Sequence, residues 1–100
     1  MSEDVKLSHT SALILQILNA GYLYGFDIME ATGLPSGTIY PALRRLEHME
    51  LIQSKWEKQS KALAEQRPAR KYYRLTSLGE QTLAKAVQRF PLLQYVKEKA

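Results

Sequence analysis

The sequence has no cysteine, one tryptophan, two phenylalanines and four prolines, and its longest uninterrupted apolar stretch is about that of Ala12 to Leu15. Without cysteine there is no disulfide framework, no thiol nucleophile and no zinc-thiolate centre, and a reducing cytosol is the expected compartment. The apolar stretches fall far short of the roughly 18 residues that span a bilayer, and the first residues lack the apolar core of a signal peptide. A soluble cytoplasmic chain with no membrane partner is therefore expected. Catalytic signatures are missing too: there is no metal-ligand spacing, no glycine-rich phosphate loop and no nucleophile beside a histidine. His9 falls at a helix start and His48 on an exposed helix face, so neither reads as a ligand. No enzymatic activity, cofactor or metal is expected.

Acidic residues are scarce in one place. Between Lys55 and Arg74 stand seven basic residues (Lys55, Lys58, Lys61, Arg67, Arg70, Lys71 and Arg74) against Glu57 and Glu65, while the net charge of the 100 residues is only +4. That segment's net charge of +5 exceeds that of the whole chain and leaves −1 elsewhere. Such a segment either meets a polyanion or forms a solvated lysine-rich loop.

What the sequence does contain is enough apolar material, 45% of its residues, for the core of one small domain without staples. Ser8 is a candidate N-cap for a helix over about 9 to 20, with Leu13, Ile14, Ile17 and Leu18 at helical spacing and Gly21 at its end. A second helix, about 24 to 32, places Phe26, Ile28 and Met29 toward the core and stops at Gly33 and Pro35. A third begins at Ser36 or Gly37, buries Ile39, Leu43, Leu46 and Met49, and takes Pro41 in or just after its first turn. Its other face carries Thr38, Arg44, Arg45 and His48.

The apolar period then shortens. "LIQSKWE" and "KYYRLT" alternate as half-buried strands of a hairpin, with Ile52 and Trp56 on one face and Tyr73 and Leu75 on another. The connection "KQSKALAEQRPAR" reads as a long, flexible, basic loop. Thr76 caps a final helix whose stripe of Leu83, Val87 and Phe90 is interrupted at Pro91 and resumes with Leu93 and Val96. Either this stripe projects and pairs with a second copy, or it folds back on its own domain.

Three helices followed by a hairpin is the order of a winged helix-turn-helix: mainly α with a small β-hairpin, residues 1–76 forming a DNA-binding unit and 77–100 a C-terminal dimerisation helix. In that architecture the start of helix three faces base edges, which makes Ser36, Gly37 and Thr38 candidate contacts to double-stranded DNA. Arg44 suits either a bidentate pair with guanine or a phosphate. Tyr40 either packs or offers its hydroxyl to a phosphate, and Arg45 either reaches DNA or pairs with a carboxylate such as Glu47. In the wing, Arg67, Arg70 and Lys71 are candidate phosphate ligands. Trp56, Phe90, Tyr95 and Met49 either line a pocket between subunits for a small aromatic effector or simply pack. The competing reading is a winged helix that binds protein instead of DNA.

The stretch "SGTIYPALRRLEHMELI", followed by "RKYYRLTSLG", resembles the PadR family of transcriptional regulators over roughly residues 9 to 85. Tyr40, Pro41, Leu43, Arg45, Leu46 and Glu47 fall on one family signature, and Tyr73, Leu75, Thr76 and Gly79 on the other. The resemblance implies a homodimeric winged-helix repressor of an inverted-repeat promoter operator. It also implies a short form with a single C-terminal helix, and makes Leu43 and Leu46 core and Arg45 and Glu47 partly structural.

Overall fold

The structure is a computed structural model that describes residues 6–100. The first five residues of the expected 1–76 unit lie outside them. Helix α1 (His9–Asn19) is capped by Ser8, whose hydroxyl accepts from the Ser11 amide at 3.1 Å. It ends where the Tyr22 and Gly21 amides turn back to the carbonyls of Ile17 and Leu18, with Gly21 at φ 104° in the left-handed region. That conformation suits glycine, which carries no Cβ to clash. Helix α2 (Gly25–Thr32) stops on left-handed Gly33. Helix α3 (Ser36–His48) follows Pro35, and Ile39, Ala42, Leu43 and Leu46 form its buried stripe. Helices α1 and α2 begin and end within one residue of the positions expected from caps and periodicity, and α3 begins at the expected Ser36.

Phe26 does not reach the core: it is 61% exposed. Ile28 fills the inward face of α2, with Met29 partly buried beside it, while Gly25 lies against α3.

Strands β1 (Ile52–Trp56) and β2 (Lys71–Leu75) pair antiparallel, Ile52 opposite Leu75, Ser54 opposite Tyr73 and Trp56 opposite Lys71. Directly opposed residues share a face, so Ile52, Trp56, Tyr73 and Leu75 lie on one face of the hairpin and not on two. Along that face Ile52 is in the core, whereas Trp56 is 67% exposed. The loop between the strands is not the irregular connection expected. It contains helix α4 (Gln59–Ala64), held by the buried methyl of Ala62.

Helix α5 (Ser77–Arg89) starts on Thr76 and buries Leu83 and Ala86 against the domain. The expected C-terminal helix over 77–100 is shorter than the stripe suggested. After Arg89 the chain breaks at Phe90, makes a 3-10 turn over Pro91–Tyr95 and folds back. Gln16 Nε2 donates to the Leu93 carbonyl at 2.9 Å, Lys99 N donates to the Ala20 carbonyl at 2.8 Å, and Lys99 Nζ pairs with Asp27 at 2.7 Å. The cause is Pro91, which has no amide to continue the helix. Leu83 and Leu93, expected at a dimer interface, are thus buried by their own chain. No helix among the described residues is long and apolar enough to cross a membrane.

Candidate nucleic-acid interface

The exposed side of α3 is built by elimination: the stripe at Ile39, Leu43 and Leu46 turns inward, so the intervening polar residues face solvent. Ser36, Gly37, Arg44 and His48 are exposed and Thr38 is half-buried. Pro35, as N-cap, offers no side-chain acceptor, and the first-turn amides of α3 are left without one. Pro41 sits in the second turn and withholds the amide that would have met the Gly37 carbonyl, which adds an acceptor to the same end.

The ring of Tyr40 lies on Gly25, where any Cβ would overlap the phenol. This close approach seats the start of α2 against α3 and aims the tyrosine at the wing. Burial pushes the neighbouring Tyr73 phenol up, with further upward contributions from Tyr40 and Glu47 and an opposing one from Arg44.

Glu47 accepts from Ser54 Oγ at 2.6 Å, tying α3 to β1. Arg45 Nη2 reaches Ser11 Oγ at 3.4 Å, on the α1 side. Behind them, α3 ends with the Leu51 amide bonded to the Leu46 carbonyl and the Glu50 amide to the Glu47 carbonyl, Glu50 taking φ 62°. Thr76 Oγ1 donates to the Glu50 carbonyl at 2.7 Å and accepts from the Gly79 amide at 2.9 Å, while the Thr76 amide donates to the Leu51 carbonyl at 3.0 Å. A Cβ at residue 79 would collide with that same carbonyl. The Thr-x-x-Gly motif therefore clamps the start of α5 onto the turn between α3 and the hairpin, which sets the angle at which α3 is presented.

The wing is organised around Glu57, a buried carboxylate in the most basic segment of the chain. Both Arg67 guanidinium nitrogens Nη1 and Nη2 donate to it, the latter at 2.9 Å; the Arg70 amide donates at 3.2 Å and the Tyr24 hydroxyl at 3.4 Å. The Arg67 hydrogen bond, helped by the Arg70 amide and both positive charges, holds the carboxyl at about 2, against an ordinary 4.5 and against the upward push of burial. Arg67 also donates to Glu65 at 2.9 Å. Arg67, expected as a phosphate ligand, thus has its guanidinium taken up inside the wing, where it closes the loop around α4. Arg70 points elsewhere: its guanidinium stacks over the Tyr24 ring at 4.0 Å and keeps only a long 3.8 Å approach to Glu57. Lys71 Nζ stands 5.9 Å from the Trp56 ring and 6.0 Å from the Tyr73 ring. Sequence reasoning missed Tyr24 and Glu57 as organisers of the wing. The only signal was an isolated acid in a basic run.

Between α3 and the wing lies a cleft of about 540 Å³. Tyr40 and Arg44 form one wall, Trp56 and Lys71 the other, and Tyr24, Phe26 and Arg70 flank them. Four of the predicted DNA contacts, Tyr40, Arg44, Arg70 and Lys71, thus converge on one opening, with Ser36 to Thr38 at the near end of α3. The expected effector residues do not converge within one chain. Trp56 belongs to this cleft, whereas Phe90 packs edge-on against His9 at 5.0 Å and Tyr95 is 72% exposed on the 3-10 turn.

A helix presented in front of a three-helix core, with a two-stranded wing beside it, defines a winged helix-turn-helix regulator. Residues 14–85 match the model of the "Transcriptional regulator PadR-like family", and the chain belongs to that family. It is a family of transcriptional regulators, not of enzymes. A PadR family transcription regulator from Clostridium difficile R20291 is 30% identical and superposes with a TM-score of 0.73 over 89% of this chain and 94% of its own. A PadR-like transcription factor from Bacteroides fragilis is 29% identical with a TM-score of 0.69, covering 85% and 82%. An uncharacterised protein from Lysinibacillus sphaericus is 28% identical over 93 residues, 85% of this chain and 81% of the relative.

Proposed function

We propose that this chain is a cytoplasmic repressor that binds an inverted-repeat promoter operator as a homodimer. The observation that carries the reading is the convergence of Arg44 on α3 with Arg70 and Lys71 on the wing around one open cleft. The charged residues lining the cleft are all cations, which suits a polyanion, whereas the core of a protein-binding face is depleted of charge. Ser36, Gly37, Thr38 and Arg44 read base edges or hold the phosphates beside them, Tyr40 sets α3 against α2, and Arg70 and Lys71 take phosphates. Arg45 supports α3 against α1, and Arg67 keeps the wing closed.

Two copies place two recognition helices about 34 to 36 Å apart, one turn of duplex, so that both enter the major groove on one face. The dimer contact is assigned to the exposed side of the C-terminal segment, where Leu92 is 76% and Tyr95 72% exposed and Val87, Phe90 and Val96 are partly buried. Occupying a promoter then excludes polymerase.

The test is binding to the chain's own upstream promoter DNA against random duplex at several salt concentrations, with stoichiometry read alongside. Selective binding by a dimer supports the reading. Weak, unselective binding by a folded dimer favours the protein-binding alternative. Within the site, Arg44→Ala is expected to weaken operator binding more than binding to random duplex. Arg70→Ala is expected to weaken both and to lower the salt slope by about one. Equal losses for the two variants on both DNAs contradict these roles.

A further inference from the structure

Two features of the cleft are unused by charge alone: Trp56 and Phe26 are 67% and 61% exposed at its margins. Scattered exposed apolar residues need no explanation. Here, however, both flank one opening whose charged lining residues are Arg44, Arg70 and Lys71 and include no carboxylate. Arg70 is stacked on the Tyr24 ring at 4.0 Å, and Lys71 Nζ stands 5.9 Å from the Trp56 ring and 6.0 Å from the Tyr73 ring. Arg70 is partly neutralised by Glu57 at 3.8 Å, which leaves Arg44 and Lys71 as the main positive charges facing the opening. An opening of this make fits a ligand that alternates anionic and apolar units at close spacing.

Building on the DNA-binding reading, we propose that this cleft is the saddle for one strand of duplex DNA, with phosphates on Arg44, Arg70 and Lys71 and deoxyribose carbons packed against Trp56 and Phe26. The path follows from geometry. A helix in the major groove and a wing at the adjacent minor groove straddle the strand that divides the two grooves. That strand has to pass between α3 and the hairpin tip, where Trp56 lies opposite Lys71 in the sheet register. The phosphates supply the salt-dependent part of binding, and the sugar edges supply burial of aromatic surface. Trp56 and Phe26 are thereby assigned as DNA-contacting residues that charge and motif reasoning pass over.

Trp56 is the sole tryptophan, so its emission reports on the cleft directly. Full-length protein is titrated with operator duplex while Trp56 emission and its quenching by acrylamide are followed. Bound duplex is expected to cut acrylamide quenching at least severalfold. Trp56→Ala is expected to lower affinity about tenfold with the salt slope unchanged, because no charge is removed. Lys71→Ala is expected to lower the slope by about one. Both side chains are outside the core, and an unchanged thermal melt confirms that each variant folds. If duplex binds with wild-type selectivity while Trp56 stays equally open to acrylamide, or if Trp56→Ala binds as tightly as the parent, the saddle is wrong and the DNA-binding reading stands. If duplex does not bind at any salt concentration, that underlying reading falls, and the saddle with it.

Discussion

The smallest decisive contacts are those of one glycine and one carboxylate. Residue 79 has no room for a methyl because the Leu51 carbonyl occupies its place, so Gly79→Ala is expected to cost about 1 to 3 kcal/mol. For a domain of this size each kcal/mol lowers the melting temperature by about 4 to 8 °C, and a thermal scan reads it directly. Gly37→Ala is the matched control. A Cβ there meets nothing within 4 Å, and alanine is the better helix former, so stability is expected to rise by about 0.5 to 1 kcal/mol. Glu57 controls the wing through its charge. Because its folded value of about 2 lies below the ordinary 4.5, the stability it contributes is complete above 4.5 and is lost as pH falls from there toward 2. The nearby Trp56 emission and amide exchange at Glu57 and Arg70 are expected to report wing loosening in that window. Glu57→Gln is expected to loosen the wing at neutral pH and to abolish the transition.

At the scale of elements, α4 is the part of the wing that charge patterning hid. Its six residues rest on one buried side chain, Ala62, and on the ion pair that joins Glu57 to Arg67 across the loop. Ala62→Asp is expected to release it: proteolysis between residues 58 and 70 accelerates while the main melt, set by α1 to α3 and α5, moves by only a few degrees. The contrast explains what a reader of the sequence can and cannot see. Helices α1 to α3 and both strands declare themselves through local signals, such as the Ser8 cap, the Gly33 stop and the period of the buried stripe. Helix α4 depends on a pairing ten residues apart between side chains that also suit a solvated loop. The outward turn of Phe26 is equally nonlocal, since it follows from which residues of α2 the neighbouring helix accepts. The candidate site follows the same rule. Arg44, Arg70 and Lys71 are readable as exposed cations, whereas the inward turn of Arg67 requires knowing that Glu57 is buried beneath it.

For the whole molecule, the fold-back after Pro91 decides what surface remains for a second copy. Gln16, 77 positions away in sequence, receives the chain at Leu93, a contact that no helical period announces. Since Leu83 and Leu93 are already enclosed, the proposed dimer contact falls to the outer residues Leu92 and Tyr95. The double variant Leu92→Glu, Tyr95→Glu is expected to keep its circular dichroism and melt but to sediment as a monomer. It should also lose operator affinity far more than affinity for a half-site. A dimer that survives both charges would move the interface elsewhere, to α1 or the outer face of α5. The clamp formed by Thr76 and Gly79 with the Leu51 turn has a consequence for descent. It holds the angle of α3 with residues outside the proposed DNA face, while Ser36, Gly37 and Arg44 on that face are exposed. A lineage built on this frame can exchange its operator by changing a few outward residues and inherit the scaffold intact.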